Sequence, residues 1–151
     1  MAEIMHTEKF VSAEHEFFNE LYDRYQGFDN YREIERGIRA VFNVLRDIIP
    51  IQESFHLLSQ LPSFLKLYYI EGWKYREKPI RIRAIDDFIF AVEDELIRLG
   101  ELNYDRRMPI EELIAIILTS LDRYVDDGEF RHIMATLPPE LYPLFLQRPR
   151  Y

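Results

Sequence analysis

Hydrophobic positions recur along most of this chain at spacings of three and four residues with polar residues between them, the period of amphipathic α-helices. Phe10, Val11, Phe17, Phe18, Leu21, Tyr22 and Tyr25 keep that spacing from a start at Thr7-Glu8 to a stop at Gly27. Asn30 with Glu33 has capping-box chemistry. It precedes an apolar face of Ile34, Ile38, Val41, Phe42, Leu45 and Ile48, which predicts the central helix of the first half. Pro50 and Pro62 suit the first turn of a helix, where a missing N–H costs nothing, and open two shorter helices, the second ending near Ile70. Phe55, Leu57 and Leu58 are the apolar positions of the first of these.

The pattern resumes at Asp86-Asp87, acids suited to a positive helix start, with Phe88, Ile89, Val92, Leu96 and Leu99 inward and Gly100 as the stop. After a polar loop from Glu101 to Met108, Pro109 begins a helix carrying Ile110, Leu113, Ile114, Ile117, Leu118, Leu121 and Tyr124. Asp126 and Glu129 repeat the cap-plus-three pair ahead of Phe130, Ile133, Met134 and Leu137. Pro138-Pro139-Glu140 opens a last short helix, and Gln147 to Tyr151 should fray.

One stretch breaks the helical period. Between Gly72 and Arg83, Trp73, Tyr75, Ile80 and Ile82 are separated by Lys74, Arg76, Arg81 and Arg83. Period two predicts extended chain or a short β-hairpin turning at Glu77-Lys78-Pro79. An isolated hairpin is marginal, so its apolar side must rest on the helices or on a second copy.

The segments flanking this joint repeat each other. At an offset of 76 positions Leu45 meets Leu121, Glu53 meets Glu129, His56 meets His132, Leu61-Pro62 meets Leu137-Pro138 and Leu65 meets Leu141. The first helices match at an offset of 71, so the second half carries 5 extra residues in its polar loop, an insertion that loops absorb cheaply. The fold class is therefore all-α. A single domain over residues 1–151 holds two similar repeats of about four helices each, residues 8–71 and 84–147, joined by residues 72–83.

The string Leu61-Pro62-Ser63-Phe64-Leu65-Lys66 through Gly72-Trp73-Lys74, echoed by Leu137-Pro138-Pro139-Glu140-Leu141 before Phe145, resembles the bacterial domain-of-unknown-function family 2267. The resemblance covers about Phe10 to Phe145, and its most specific mark is the Leu-Pro-x-x-Leu element closing each half. It implies a small, helical, cytoplasmic protein with no established activity and supplies no catalytic residues. The departure lies at Ser63-Phe64, where the second half has Pro-Glu, leaving a Phe either buried or exposed for a partner.

Composition narrows the picture. A chain of 151 residues, 48% hydrophobic and 15% aromatic, can bury a core without staples and is too apolar for disorder. With no cysteine it has no disulfide, thiolate nucleophile or Cys-ligated zinc, which fits a reducing cytosol. The first ten residues lack a signal peptide's pattern, and no window approaches the ~20 apolar residues of a membrane span. The expected location is the cytoplasm, with no membrane partner.

Net charge is −8, yet Lys74, Arg76, Lys78, Arg81 and Arg83 against Glu77 give the joint +4 and leave −12 on the rest. That acidic remainder disfavours a nucleic-acid track.

Candidate chemistry is sparse. His56 and His132 occupy matching positions and would make a two-histidine metal site if the halves faced each other. Without a placed carboxylate pair or a Cys the ligand set is thin, so each is read as packing beside its Leu-Pro turn. His6 and His15 are read as surface residues. The acidic groups Asp86, Asp87, Glu93, Asp94 and Glu95, and Asp126, Asp127 and Glu129, stand at or near helix starts, where the helix dipole explains them without acid–base work. No activated nucleophile and no Gly-rich phosphate cradle appears, so no catalytic residue, cofactor or metal site is assigned.

What survives is the joint: Trp73, Lys74, Tyr75, Arg76, Lys78, Arg81 and Arg83, residue types that suit protein hot spots and anion contacts. The expected function is a non-enzymatic helical interaction or regulatory module, homodimeric, using the Trp73–Arg83 surface. The alternatives are a small-ligand or anion binder with a site between the repeats, and a packed linker whose cations bridge to the acidic body. An enzyme would need a buried, perturbed carboxylate or histidine.

Overall fold

The computed structural model describes residues 2–24, 30–100 and 108–146. Helices α1 (Ala2–Arg24), α2 (Tyr31–Ile48), α3 (Ile51–Gln60) and α4 (Ser63–Ile70) precede the joint. Helices α5 (Ile85–Arg98), α6 (Ile110–Ser120), α7 (Asp127–Ala135) and α8 (Tyr142–Leu146) follow it, with 3₁₀ turns at Leu121–Arg123 and Pro139–Leu141. No strand occurs among the described residues, so the fold class is all-α. The expected stop at Gly27, the loop over 101–107 and the terminal Gln147–Tyr151 lie outside the described residues.

Local chemistry sets the helix ends. Asn30 Oδ1 accepts from the Glu33 amide at 3.1 Å and Asp126 Oδ1 from the Glu129 amide at 2.8 Å, each satisfying a donor that its helix leaves open. Pro50, Pro62 and Pro109 sit one residue before α3, α4 and α6, where their carbonyls accept the first helical bonds. Gly72 and Gly100, at φ +69° and +96°, take the left-handed conformation that ends α4 and α5. Helix α1 starts at Ala2 rather than Thr7, because Ala2 to His6 contain no helix breaker.

Helix α2 is the axis of the molecule. It packs on α1, α4, α5 and α6, and all six residues from Ala40 to Leu45 are buried, so it is enclosed where its sequence pattern predicted one apolar face. Gly37 permits the close crossing with α6. A Cβ there would lie 3.0 Å from Leu113 Cδ1 and 3.1 Å from Ile117 Cδ1.

The core runs through both halves. Phe64 is buried edge-to-face against Phe17 at 5.5 Å, which resolves the alternative left open by the sequence. Phe55, expected inward on α3, is exposed; Ser54 and Leu57 take the inner face instead, with Ser54 Oγ 2.6 Å from the Tyr69 hydroxyl. Helix α3 lies against α7.

Candidate functional site

Two regions carry unusual chemistry. The first is the joint. Residues 73–83 run over the surface as irregular chain, and the hairpin alternative is not realised. The Ile80 amide donates to the Asp47 carbonyl on α2 at 2.7 Å, so the segment is fastened to a helix end and not to itself. Ile82 is buried, Trp73 is half-buried edge-to-face against Tyr69 at 5.6 Å and Phe55 at 6.2 Å, and Arg76 Nε reaches Asp47 Oδ1 at 3.4 Å. Trp73 therefore packs partly inward, while Arg76 stays at the surface, its side chain 50% exposed beside Asp47. Lys74, Lys78, Arg81 and Arg83 are exposed and pair with no described residue, and Tyr75 is 73% exposed among them.

Beside this strap lies a cavity of about 200 Å³ between Arg46, Ile49, Gln52, Trp73 and Arg76. Arg46 donates from Nη1 to the Tyr69 and Glu71 carbonyls at 2.7 and 2.8 Å, while its Nε is buried without an acceptor. Burial lowers its pKa despite the charge of Asp47 nearby. A wider depression of about 510 Å³ beside α4 has its polar groups satisfied. Arg39 there bonds Glu71 at 2.6 Å and lies 4.6 Å over the Tyr68 ring, and the Tyr68 hydroxyl donates to Glu14.

The second region is the contact of α3 with α7. His56 and His132 each lie beside the Glu one helical turn earlier, His56 Nδ1 3.8 Å from Glu53 Oε2 and His132 Nδ1 3.9 Å from Glu129 Oε2. The two glutamates face one another across the helix contact. One ligand atom each from Glu53, His56 and Glu129 lies within 4.8 Å of the others.

The burial is graded. Glu129 is 5% exposed and the Glu53 side chain 18%, while the His56 and His132 side chains are 60% and 67% exposed. Glu53 Oε2 and Glu129 Oε1 are buried with no hydrogen-bond partner, because two carboxylates facing each other have no donor between them. The pKa of Glu129 is accordingly pushed up to about 7, first by burial, then by the facing Glu53 carboxyl and the charge of Asp126. At the rim, Gln60 clamps the same contact, donating to Asp126 Oδ2 at 3.2 Å and accepting from the Asp126 amide at 2.9 Å.

Against this geometry, the family model described as "Uncharacterized conserved protein (DUF2267)" matches residues 14–144. The chain belongs to the DUF2267 family. A comparison with curated proteins gave no match. Family membership fixes kinship and leaves the chemistry to be read from this chain's own residues.

Two other acids of the family member, Asp87 and Glu95, behave as capping and pairing groups. Asp87 accepts from the Ala84 amide at 3.3 Å, and Glu95 takes Asn43 at 3.0 Å and Arg98 at 2.7 Å. Burial opposes its charge, yet those hydrogen bonds hold Glu95 below the usual carboxylate range. Glu129 is the exception that the helix-start reading missed. The signal available in the sequence was the i, i+3 Glu-x-x-His pair, present in both halves at Glu53-His56 and Glu129-His132.

Proposed function

We propose that this DUF2267 protein is a non-enzymatic interaction module, that the strap over residues 72–83 is its docking surface, and that its partner is an acidic protein face, in the first instance a second copy of the chain. The observation that carries this reading is the division of labour along the strap. Trp73 and Ile82 pack against the helices and the Ile80 amide is bonded to α2, while Lys74, Lys78, Arg81, Arg83 and Tyr75 stand exposed and the four cations pair with no described residue. A surface held in place before binding loses less entropy when it binds. Charge supports self-association, since a +4 strip sits on a chain otherwise carrying −12.

The proposal includes a duplicated helical unit. Helix boundaries support it: α3 and α7 begin 76 positions apart, and Ser63–Ile70 corresponds to the 3₁₀ turn plus α8 at the same offset. So do contacts between equivalent residues, for Gly37 meets Leu113 and Glu53 faces Glu129, each pair 76 positions apart. Such self-matching contacts are what a two-fold relation between halves produces. No helix among the described residues is long and apolar enough to cross a membrane, and the cysteine-free composition fits the cytoplasmic location we propose.

The test is sedimentation across concentration and salt. A dimer that dissociates as salt rises, and that is lost in a Lys74→Glu, Arg81→Glu variant of unchanged melting temperature, is expected. A monomer at every concentration up to about millimolar overturns self-association.

A second reading, an anion held beside Arg46 and Arg76, is favoured by the buried, acceptor-free Arg46 Nε and the adjoining cavity. This cavity lies between the first half and the strap rather than between the repeats. Stabilisation by inorganic phosphate that disappears in Arg76→Ala supports it; no stabilisation at any concentration removes it.

A further inference from the structure

We propose that Glu53, His56 and Glu129, with His132 at the margin, form a binding site for a divalent first-row transition metal that ties α3 to α7. The site is a second function of the chain, distinct from the strap. Three observations carry it. The donor atoms already converge, one from each of Glu53, His56 and Glu129 lying within 4.8 Å of the others, so small side-chain rotations bring them onto one ion. Glu129 is 5% exposed, and its Oε1, like Glu53 Oε2, is buried with no hydrogen-bond partner. A folded protein rarely leaves two carboxylate oxygens in that state without something to hold.

The third observation is the charge. No Lys or Arg among the described residues pairs with either glutamate, so the two carboxyl groups meet with only imidazoles beside them. A dication neutralises the pair, and a bond to both carboxylates replaces their repulsion with a shared attraction.

The donor set selects the ion. Two carboxylates with one or two imidazoles suit Zn²⁺, Mn²⁺, Fe²⁺, Co²⁺ or Ni²⁺. Ca²⁺ and Mg²⁺ prefer six or more oxygens, and soft ions prefer sulfur, of which this chain has no thiol. The exposed rings of His56 and His132 leave a route by which the ion enters and by which water completes its coordination. Glu-x-x-His pairs from facing helices are a known way for helical proteins to hold such ions. Because α3 and α7 come from opposite sides of the joint, occupancy would lock the two halves together and couple metal supply to rigidity.

The experiment uses the full chain stripped with EDTA and dialysed, followed by thermal melting and titration calorimetry with Zn²⁺, Mn²⁺, Co²⁺ and Ni²⁺ and with Mg²⁺ as the hard-ion control. Binding of one ion per chain is expected for at least one transition metal, with a melting temperature higher by about 5 °C or more at saturation and no comparable rise with Mg²⁺. His56→Ala, at an exposed ring, should leave the metal-free melting temperature unchanged and weaken binding at least about tenfold. Glu129→Gln should raise the metal-free melting temperature above pH 7 while abolishing the metal-induced rise, a crossing that simple misfolding would not produce. The proposal is overturned if no transition ion binds one to one, if Mg²⁺ stabilises equally, or if both variants bind the ion as tightly as the parent chain.

Discussion

Replacing Glu129 by Gln should change how stability depends on pH in the metal-free protein. The Glu129 carboxyl is pushed from an ordinary 4.5 to about 7 by burial and by Glu53. A carboxyl whose folded pKa is raised favours the folded state only while protonated. Its folded form is therefore unpenalised at pH 4 and loses stability as pH climbs from the unfolded value through about 7. The full gap corresponds to about 3–4 kcal/mol, and access of solvent at the histidine edge reduces this to about 1–3 kcal/mol. For a chain of this length that is a fall of about 3–10 °C in melting temperature between pH 5 and pH 8.5.

Gln keeps the shape of Glu, cannot ionise, and can donate to the facing Glu53 oxygen. The variant should match the parent chain at pH 5 and exceed it at pH 8.5. Thermal melts of both proteins in EDTA across that range measure the difference. Parallel decline of the two curves, or a variant less stable at pH 8.5, refutes the idea that an uncompensated carboxylate pair lies between α3 and α7.

Other consequences follow from the packing. Tyr69→Phe strands the buried Ser54 hydroxyl that now meets the Tyr69 oxygen at 2.6 Å, and should cost about 1–2 kcal/mol in urea denaturation. Adding Ser54→Ala should recover most of that loss, and failure to recover it would mean the bond is not what the substitution removes. Gly37→Leu drives a side chain into Leu113 and Ile117 and should cost about 3 kcal/mol or more. Gly37→Ala should be nearly neutral, since the neighbouring methyls can give by a few tenths of an ångström while helix propensity gains about 1 kcal/mol. Asn30→Ala removes the bond to the Glu33 amide and should cost about 1 kcal/mol, read as a shift in denaturation midpoint without a change in slope.

The helices were legible in the sequence because their determinants are local. Apolar spacing, Asn30 and Asp126 caps, prolines ahead of α3, α4 and α6, and the left-handed Gly72 and Gly100 are all encoded within a few residues of the feature they produce. The family resemblance rested on the same kind of information, and the match over residues 14–144 bears it out.

Contacts between distant segments were not legible. Periodicity could mark Glu129 as the third residue of a helix start but not reveal that α7 turns this face onto Glu53, 76 positions earlier. It could mark Trp73 as chemically distinctive but not that Tyr69 and Phe55 claim part of its ring while Tyr75 beside it stays exposed. The sequence alone determined which segments become helices and where they stop, because turns and caps are short-range matters of hydrogen bonding and torsion. Only the tertiary structure decided which polar groups were left facing each other without water, because desolvation depends on what the rest of the chain packs around them.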